Sequence, residues 1–150
     1  MMHNRTPEGD GYTRLLLATF RLNGRLIAAG DELTREHGLS SALWQVMGAL
    51  KNAPLPVPRI ADIMGLTRQS VQRSVNILFE RGLVSFAANP AHKKAKLVIL
   101  TAKGREALDT IHQKQVLWAN DIARGLDPIA LHKAANLLES LVERLEHSGT

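Results

Sequence analysis

PRIADIMGLTRQSVQRSVNILFERGLV, residues 58–84, holds two short amphipathic segments and a turn between them. Ile60, Ala61, Ile63 and Met64 give the first segment one apolar face, and Gly65 ends it. Thr67 caps a second helix that runs through Arg81 and stops at Gly82. Two helices joined by a three-residue turn containing glycine form a helix-turn-helix. On a wheel of about 100° per residue, Val71, Val75 and Leu78 share one side of the second helix. Gln69, Arg73 and Asn76 lie opposite, flanked by Arg68 and Gln72. Amide and guanidinium groups read adenine and guanine edges bidentately in the major groove, whereas an ordinary solvated face is the plainer reading of the same residues. Arg73 is expected at a base edge, Arg68 at phosphate or base, and Thr67 and Ser70 at the DNA backbone or simply as caps.

Downstream of Gly82 the texture changes. Leu83 to Ala88 is strand-like, Asn89 to Lys94 reads as a turn, and Ala95 to Leu100 is strand-like again. A hairpin with a lysine-bearing tip beside a helix-turn-helix is a wing, and Thr101 caps the next helix. Upstream, Ala53 to Pro58 blocks helix continuation, with Pro58 placed as first residue of the helix after it. Ser40 or Ser41 caps a helix through Leu43, Trp44, Val46, Met47 and Leu50.

The flanks are helical. Leu15, Leu22, Leu26 and Leu33 recur at helical spacing from Tyr12 to about Glu36, and Gly24 and Gly30 there require packing to offset their low propensity. Residues 1–11, with Pro7, Gly9 and Gly11, read as a mobile arm. Lys103 to Arg124 forms a further helix, and Asp127 with Pro128 opens the last one. Leu131, Ala134, Leu138, Leu141 and Leu145 make a seam too short to stand alone; its partner is the leucine-rich first helix, within the chain or across a dimer.

Charge follows the same division. The 150 residues carry 19 Lys and Arg against 14 Asp and Glu, a net of +5. Nine basic residues between Val57 and Arg105 face only Asp62 and Glu80, so this third holds +7 and the remainder −2. A polyanion-binding module between neutral-to-acidic flanks is implied. Absence of cysteine excludes disulfide scaffolds, cysteine-ligated metal and thiol redox sensing. The uncharged run Leu15–Phe20 is too short for a membrane span or signal core, so the expected location is the cytoplasm.

The strings Leu39-Ser40-x-x-Leu43-Trp44-x-Val46-Met47-x-x-Leu50, Ile60-Ala61-Asp62-x-Met64-Gly65-Leu66-Thr67-Arg68-Gln69-Ser70-Val71 and Asn89-Pro90-x-His92-Lys93-Lys94-Ala95-Lys96-Leu97-Val98-x-Leu100-Thr101-x-x-Gly104 resemble the MarR family of bacterial transcriptional regulators, over roughly Tyr12 to Glu146. The resemblance implies a mainly α fold with a small β-hairpin wing: a winged helix-turn-helix at about 40–101, between dimerisation helices at about 12–37 and 103–147. It further implies a homodimer through Leu15, Leu22, Leu26, Leu131, Leu138, Leu141 and Leu145, on a pseudo-palindromic operator in double-stranded DNA. The recognition helix (Arg68, Gln69, Gln72, Arg73, Asn76) then enters the major groove, and the wing (His92, Lys93, Lys94, Lys96) reaches the minor groove. A repressor released by a small aromatic or phenolic effector is the family's common pattern, with Trp44 and Met47 on the helix that borders the relatives' ligand crevice. The family wing commonly reads Asp-Pro-x-Asp-Arg-Arg; here Asn89, His92, Lys93 and Lys94 depart from it, keeping charge but losing the planar guanidinium fork.

Rival readings are distinct. No glycine-rich phosphate loop, H-E-x-x-H or nucleophile elbow supports an enzyme, and no cofactor is expected. Glu32 with Glu36 and His37, or Glu143 with His147, have ligand-like spacing but read as exposed helical charge, so no metal is expected. A single-strand or RNA binder needs stacking aromatics, for which Phe86 is the candidate. A winged helix serving only protein contact, or a binder of nucleic acid without operator specificity, is the remaining alternative.

Overall fold

The computed structural model describes residues 2–149. The element order is α1 (Pro7–Thr34), a 3-10 turn (Arg35–His37), α2 (Ser41–Ala49), β1 (Leu55–Pro56), α3 (Val57–Met64), α4 (Arg68–Glu80), β2 (Val84–Ala87), β3 (Leu97–Leu100), α5 (Ala102–Ile122) and α6 (Pro128–Ser148). These form two units, one reaching Lys114 and one starting at Gln115.

Helices α3 and α4 are set by their ends. Gly65 adopts φ 63°, a left-handed backbone that costs glycine nothing, and the Leu66 amide donates to the Ala61 carbonyl at 2.9 Å. Thr67 then accepts from the Ser70 amide at 3.1 Å and starts α4. Gly82 (φ 72°) closes α4 in the same way, with Leu83 N donating to Leu78 O at 2.9 Å. In each closure the leucine after the glycine turns back toward the apolar side: Leu83 is buried and Leu66 packs against the core. Leu39, following Gly38, is buried likewise.

The core of the first unit collects one face from every element around it. Leu43, Val46, Met47 and Leu50 come from α2, Ile60 and Ala61 from α3, and Val71, Val75 and Leu78 from α4. Val84, Val98 and Leu100 from the sheet and Leu108 and Ile111 from α5 complete it. Each such side chain contributes about 1.5–3 kcal/mol on burial, before conformational entropy is charged against it. Helix α1 is joined to α2 at Gly30, where an added Cβ would meet Ser41 Oγ at 2.6 Å. Asp31 fixes the same junction by accepting from the Ser41 amide at 2.7 Å. Packing thus accounts for Gly30, whereas a Cβ added at Gly24 would meet nothing within 4 Å beyond its own helix backbone among the described residues.

The sheet is antiparallel in order β1-β3-β2, with Val84 opposite Leu100 and Leu55 opposite Val98. It has three strands, one more than the expected hairpin. The proline-rich 53–58 segment blocks a helix, as expected, but its Leu55-Pro56 also pairs with β3 at the sheet edge, where a missing amide is tolerated. Pro56 stands at the N-cap position of α3 without a side-chain bond, so Val57 is its first residue and Pro58 its second, one position later than expected.

Two other boundaries differ. The arm expected over 1–11 is helical from Pro7, because Thr6 Oγ1 caps the Gly9 amide and Pro7 supplies a preset φ. Glu8 adds to this start: its hydrogen bond to the backbone, then that to Thr6, holds its carboxyl below the ordinary range. Helix α2 stops at Ala49, and Ser40, whose hydroxyl accepts from Leu43 N at 3.3 Å, is its cap.

In the second unit, Gly125 (φ 80°) lies in the turn and Asp127 Oδ1 caps α6 through the Ile129 amide at 3.1 Å. No described residue of α6 is buried; Leu131, Leu137, Leu138, Val142 and Leu145 are all exposed.

Candidate nucleic-acid interface

Burying Val71, Val75 and Leu78 on one side of α4 presents Arg68, Gln69, Gln72, Arg73 and Asn76 to solvent on the other. The apolar spacing therefore fixes which polar residues face outward. Thr67 and Ser70 are engaged with each other: besides the capping bond, Ser70 Oγ donates to the Thr67 carbonyl at 3.0 Å. Thr67 Oγ1 is the cap of α4, and the Ser70 hydroxyl bonds back to the Thr67 carbonyl. Gln72 Nε2 donates to Asn76 Oδ1 at 2.9 Å across one helical turn.

The wing runs between β2 and β3. Asn89 Oδ1 accepts from the Ala91 amide at 3.0 Å, and its carbonyl from His92 N at 3.2 Å. Such an Asx turn gives Asn89 the loop-organising part of an aspartate without its charge. His92, Lys93, Lys94 and Lys96 are exposed at this tip, with no ion pair or hydrogen-bonded partner for their side chains among the described residues.

The nine basic residues of the positive third separate into two groups. Arg81 Nη1 donates to the Gly38 carbonyl, Lys103 Nζ to Arg81 O at 3.0 Å, and Arg105 Nη1 to Lys51 O at 3.2 Å. These three tie the end of α4 and the start of α5 to neighbouring loops. Arg59, Arg68, Arg73, Lys93, Lys94 and Lys96 have no such partner among the described residues and remain available to an anion. Charge alone does not separate these groups, because the partners are backbone carbonyls far away in sequence.

An open groove of about 620 Å³ joins the two candidate elements. Arg68, Gln69 and Gln72 line it from α4, Lys94 and Lys96 from the wing, and Val57, Pro58, Phe86 and Ala95 supply the rest. Arg73, Asn76, His92 and Lys93 are outside its lining. Val57 and Pro58 carry no sequence signal as lining residues; they open α3 directly after β1. Phe86 is half-buried, with its ring 5.1 Å from that of Phe79 and its body against the core, so most of its surface is unavailable as a stacking platform.

Met47 is completely buried among core side chains in the single chain, and Trp44 on the same helix is half-buried. Of the leucines expected at a dimer interface, Leu22, Leu26, Leu131, Leu138 and Leu145 are exposed in the single chain, whereas Leu15 and Leu141 are partly covered. Of the acids with ligand-like spacing, Glu32 pairs with Arg35 at 2.7 Å and Glu36 with Lys114. The Lys114 hydrogen bond and charge hold the Glu36 carboxyl below its ordinary range. Among the described residues, no helix is long and apolar enough to cross a membrane.

A family model described as the MarR family matches residues 37–95. Over 137 residues the chain is 33% identical to Rv2011c of Mycobacterium tuberculosis, spanning 91% of this chain and 96% of that protein. AbsC, a MarR family transcriptional regulator from Streptomyces coelicolor, superposes with a TM-score of 0.78 at 15% identity, over 97% of this chain and 99% of AbsC. CouR from Rhodococcus jostii RHA1, solved bound to p-coumaroyl-CoA, gives 0.77 at 21% identity, over 85% and 90% of the two chains.

Proposed function

Because the chain belongs to the MarR family, we propose that it is a transcriptional regulator that binds a specific double-stranded DNA operator through α4 and the wing. The observation that carries this reading is the groove shared by Arg68, Gln69, Gln72, Lys94 and Lys96, in which hydrogen-bonding amides and unpaired cations meet. Helix α4 reads base edges in the major groove, and the wing, with His92, Lys93, Lys94 and Lys96, reaches the minor groove. Thr67 and Ser70, at the start of α4, are proposed at the DNA backbone, where the Thr67 O–H is still able to donate to a phosphate while its oxygen caps the helix.

Two copies bind together. The exposed leucines Leu22, Leu26, Leu131, Leu138 and Leu145 support this, since a lone chain leaves them in water at about 25 cal/mol per Å² of apolar area. A two-fold protein matches a pseudo-palindromic operator. Repression, relieved by a small aromatic effector, is the regulatory mode proposed. CouR with its phenolic acyl thioester supports the effector class, and Trp44 and Met47 are the residues proposed for ligand contact.

Salt titration tests the proposal. With six available cations per chain and about 0.9 counterions released per phosphate contact, log affinity for duplex should fall with log salt at a slope reaching roughly −5 per protomer. Single-stranded RNA at equal nucleotide concentration should fail to displace the duplex. A flat salt response would favour a protein-contact module, and displacement by RNA a single-strand binder.

A further inference from the structure

The hydrogen bond from Gln72 to Asn76 divides labour within the recognition face. Both side chains are exposed, and neither has another hydrogen-bonded partner among the described residues. A primary amide offers one oxygen and two N–H groups. Gln72 spends one N–H on Asn76 and keeps its oxygen and the other N–H. Asn76 has one lone pair of its oxygen engaged and keeps the other, with its two N–H groups. Adenine in the major groove asks one amide for an acceptor, toward N6–H, and a donor, toward N7. Gln72 retains both, with its oxygen wholly free, whereas the Asn76 oxygen is already shared with Gln72.

We propose that Gln72 reads an adenine and that Asn76 is a positioning residue which orients the Gln72 amide, so the two specify one base pair as a unit. This rests on the DNA-reading function proposed above. Free glutamine samples several rotamers about its χ angles and loses that freedom on binding; the bond to Asn76 imposes part of the restraint beforehand. Arg73 lies between the two in sequence and takes no part in their bond, so its base contact is independent.

The test uses the full chain and a preferred duplex obtained by selection, with each base pair of the half-site substituted in turn. Gln72→Ala should lose about tenfold or more of the preference for adenine at one position. Asn76→Ala should lower preference at that same position, and the double variant should lose no more than Gln72→Ala. Asn76→Asp, which keeps the accepting oxygen, should restore preference there while its charge weakens every duplex alike. An Asn76→Ala effect at a different base pair, additive losses in the double variant, or failure of Asn76→Asp to restore preference would overturn the proposal while leaving DNA reading intact. A wild-type chain with no preference at any position would overturn both.

Discussion

Gly104→Ala should destabilise the chain by about 3 kcal/mol, the upper end of the usual cost of overpacking. Its Cβ would lie 2.1 Å from the Leu83 carbonyl oxygen and 3.3 Å from Leu100 Cδ2. The first neighbour is backbone, already accepting from the Thr101 amide at 3.1 Å, so no rotamer change relieves the overlap. Thr101 Oγ1 also donates to the Gly82 carbonyl at 2.6 Å and accepts from the Gly104 amide at 3.1 Å. Any shift at Gly104 therefore strains the closure that ends the recognition helix. Denaturant titration measures the loss. Gly48→Ala is the control, because nothing lies within 4 Å of its Cβ position and alanine favours a helix; it should be neutral or mildly stabilising. Equal behaviour of the two variants would show that the α4–α5 junction is not closely packed.

Arg73→Ala should abolish discrimination at one base pair, a loss of roughly 1–3 kcal/mol for a bidentate guanine contact, with much smaller effects on unrelated duplexes. Lys94→Ala should do the opposite, weakening all duplexes similarly and lowering the salt slope by about one unit. The contrast follows from location: Arg73 stands on the outward face of α4, whereas Lys94 is at the wing with no carboxylate among the described residues to hold it. Binding to matched and mismatched duplexes across a salt series reads both. Uniform losses in both variants would refute the assigned division between base reading and backbone charge.

The helix-turn-helix is legible in the sequence because its punctuation is chemically narrow. Gly65 and Gly82 occupy left-handed positions, and Thr67 has the hydroxyl that the first turn of α4 needs. The outward face of α4 follows from apolar spacing alone. Strand β1 is not legible, since Leu55-Pro56 becomes a strand only by pairing with Leu97 and Val98, some forty residues on. The start of α1 is hidden because Gly9 and Gly11 argue against a helix that Thr6 and Pro7 nonetheless establish. Periodicity puts Trp44 and Met47 on one helix but does not separate the half-exposed ring from the buried thioether. Spacing brings Gln72 and Asn76 one turn apart, while the direction of their hydrogen bond, and hence which oxygen is already engaged, emerges only from the side-chain geometry.

A sequence-specific, two-fold duplex reader built on α4 and the wing is tested most directly by selection of duplexes from genomic fragments with the full chain. The expected result is enrichment of two related half-sites in inverted orientation, with centres about one helical turn, or a multiple of it, apart. Recovery of fragments with no shared sequence above the input pool would contradict it.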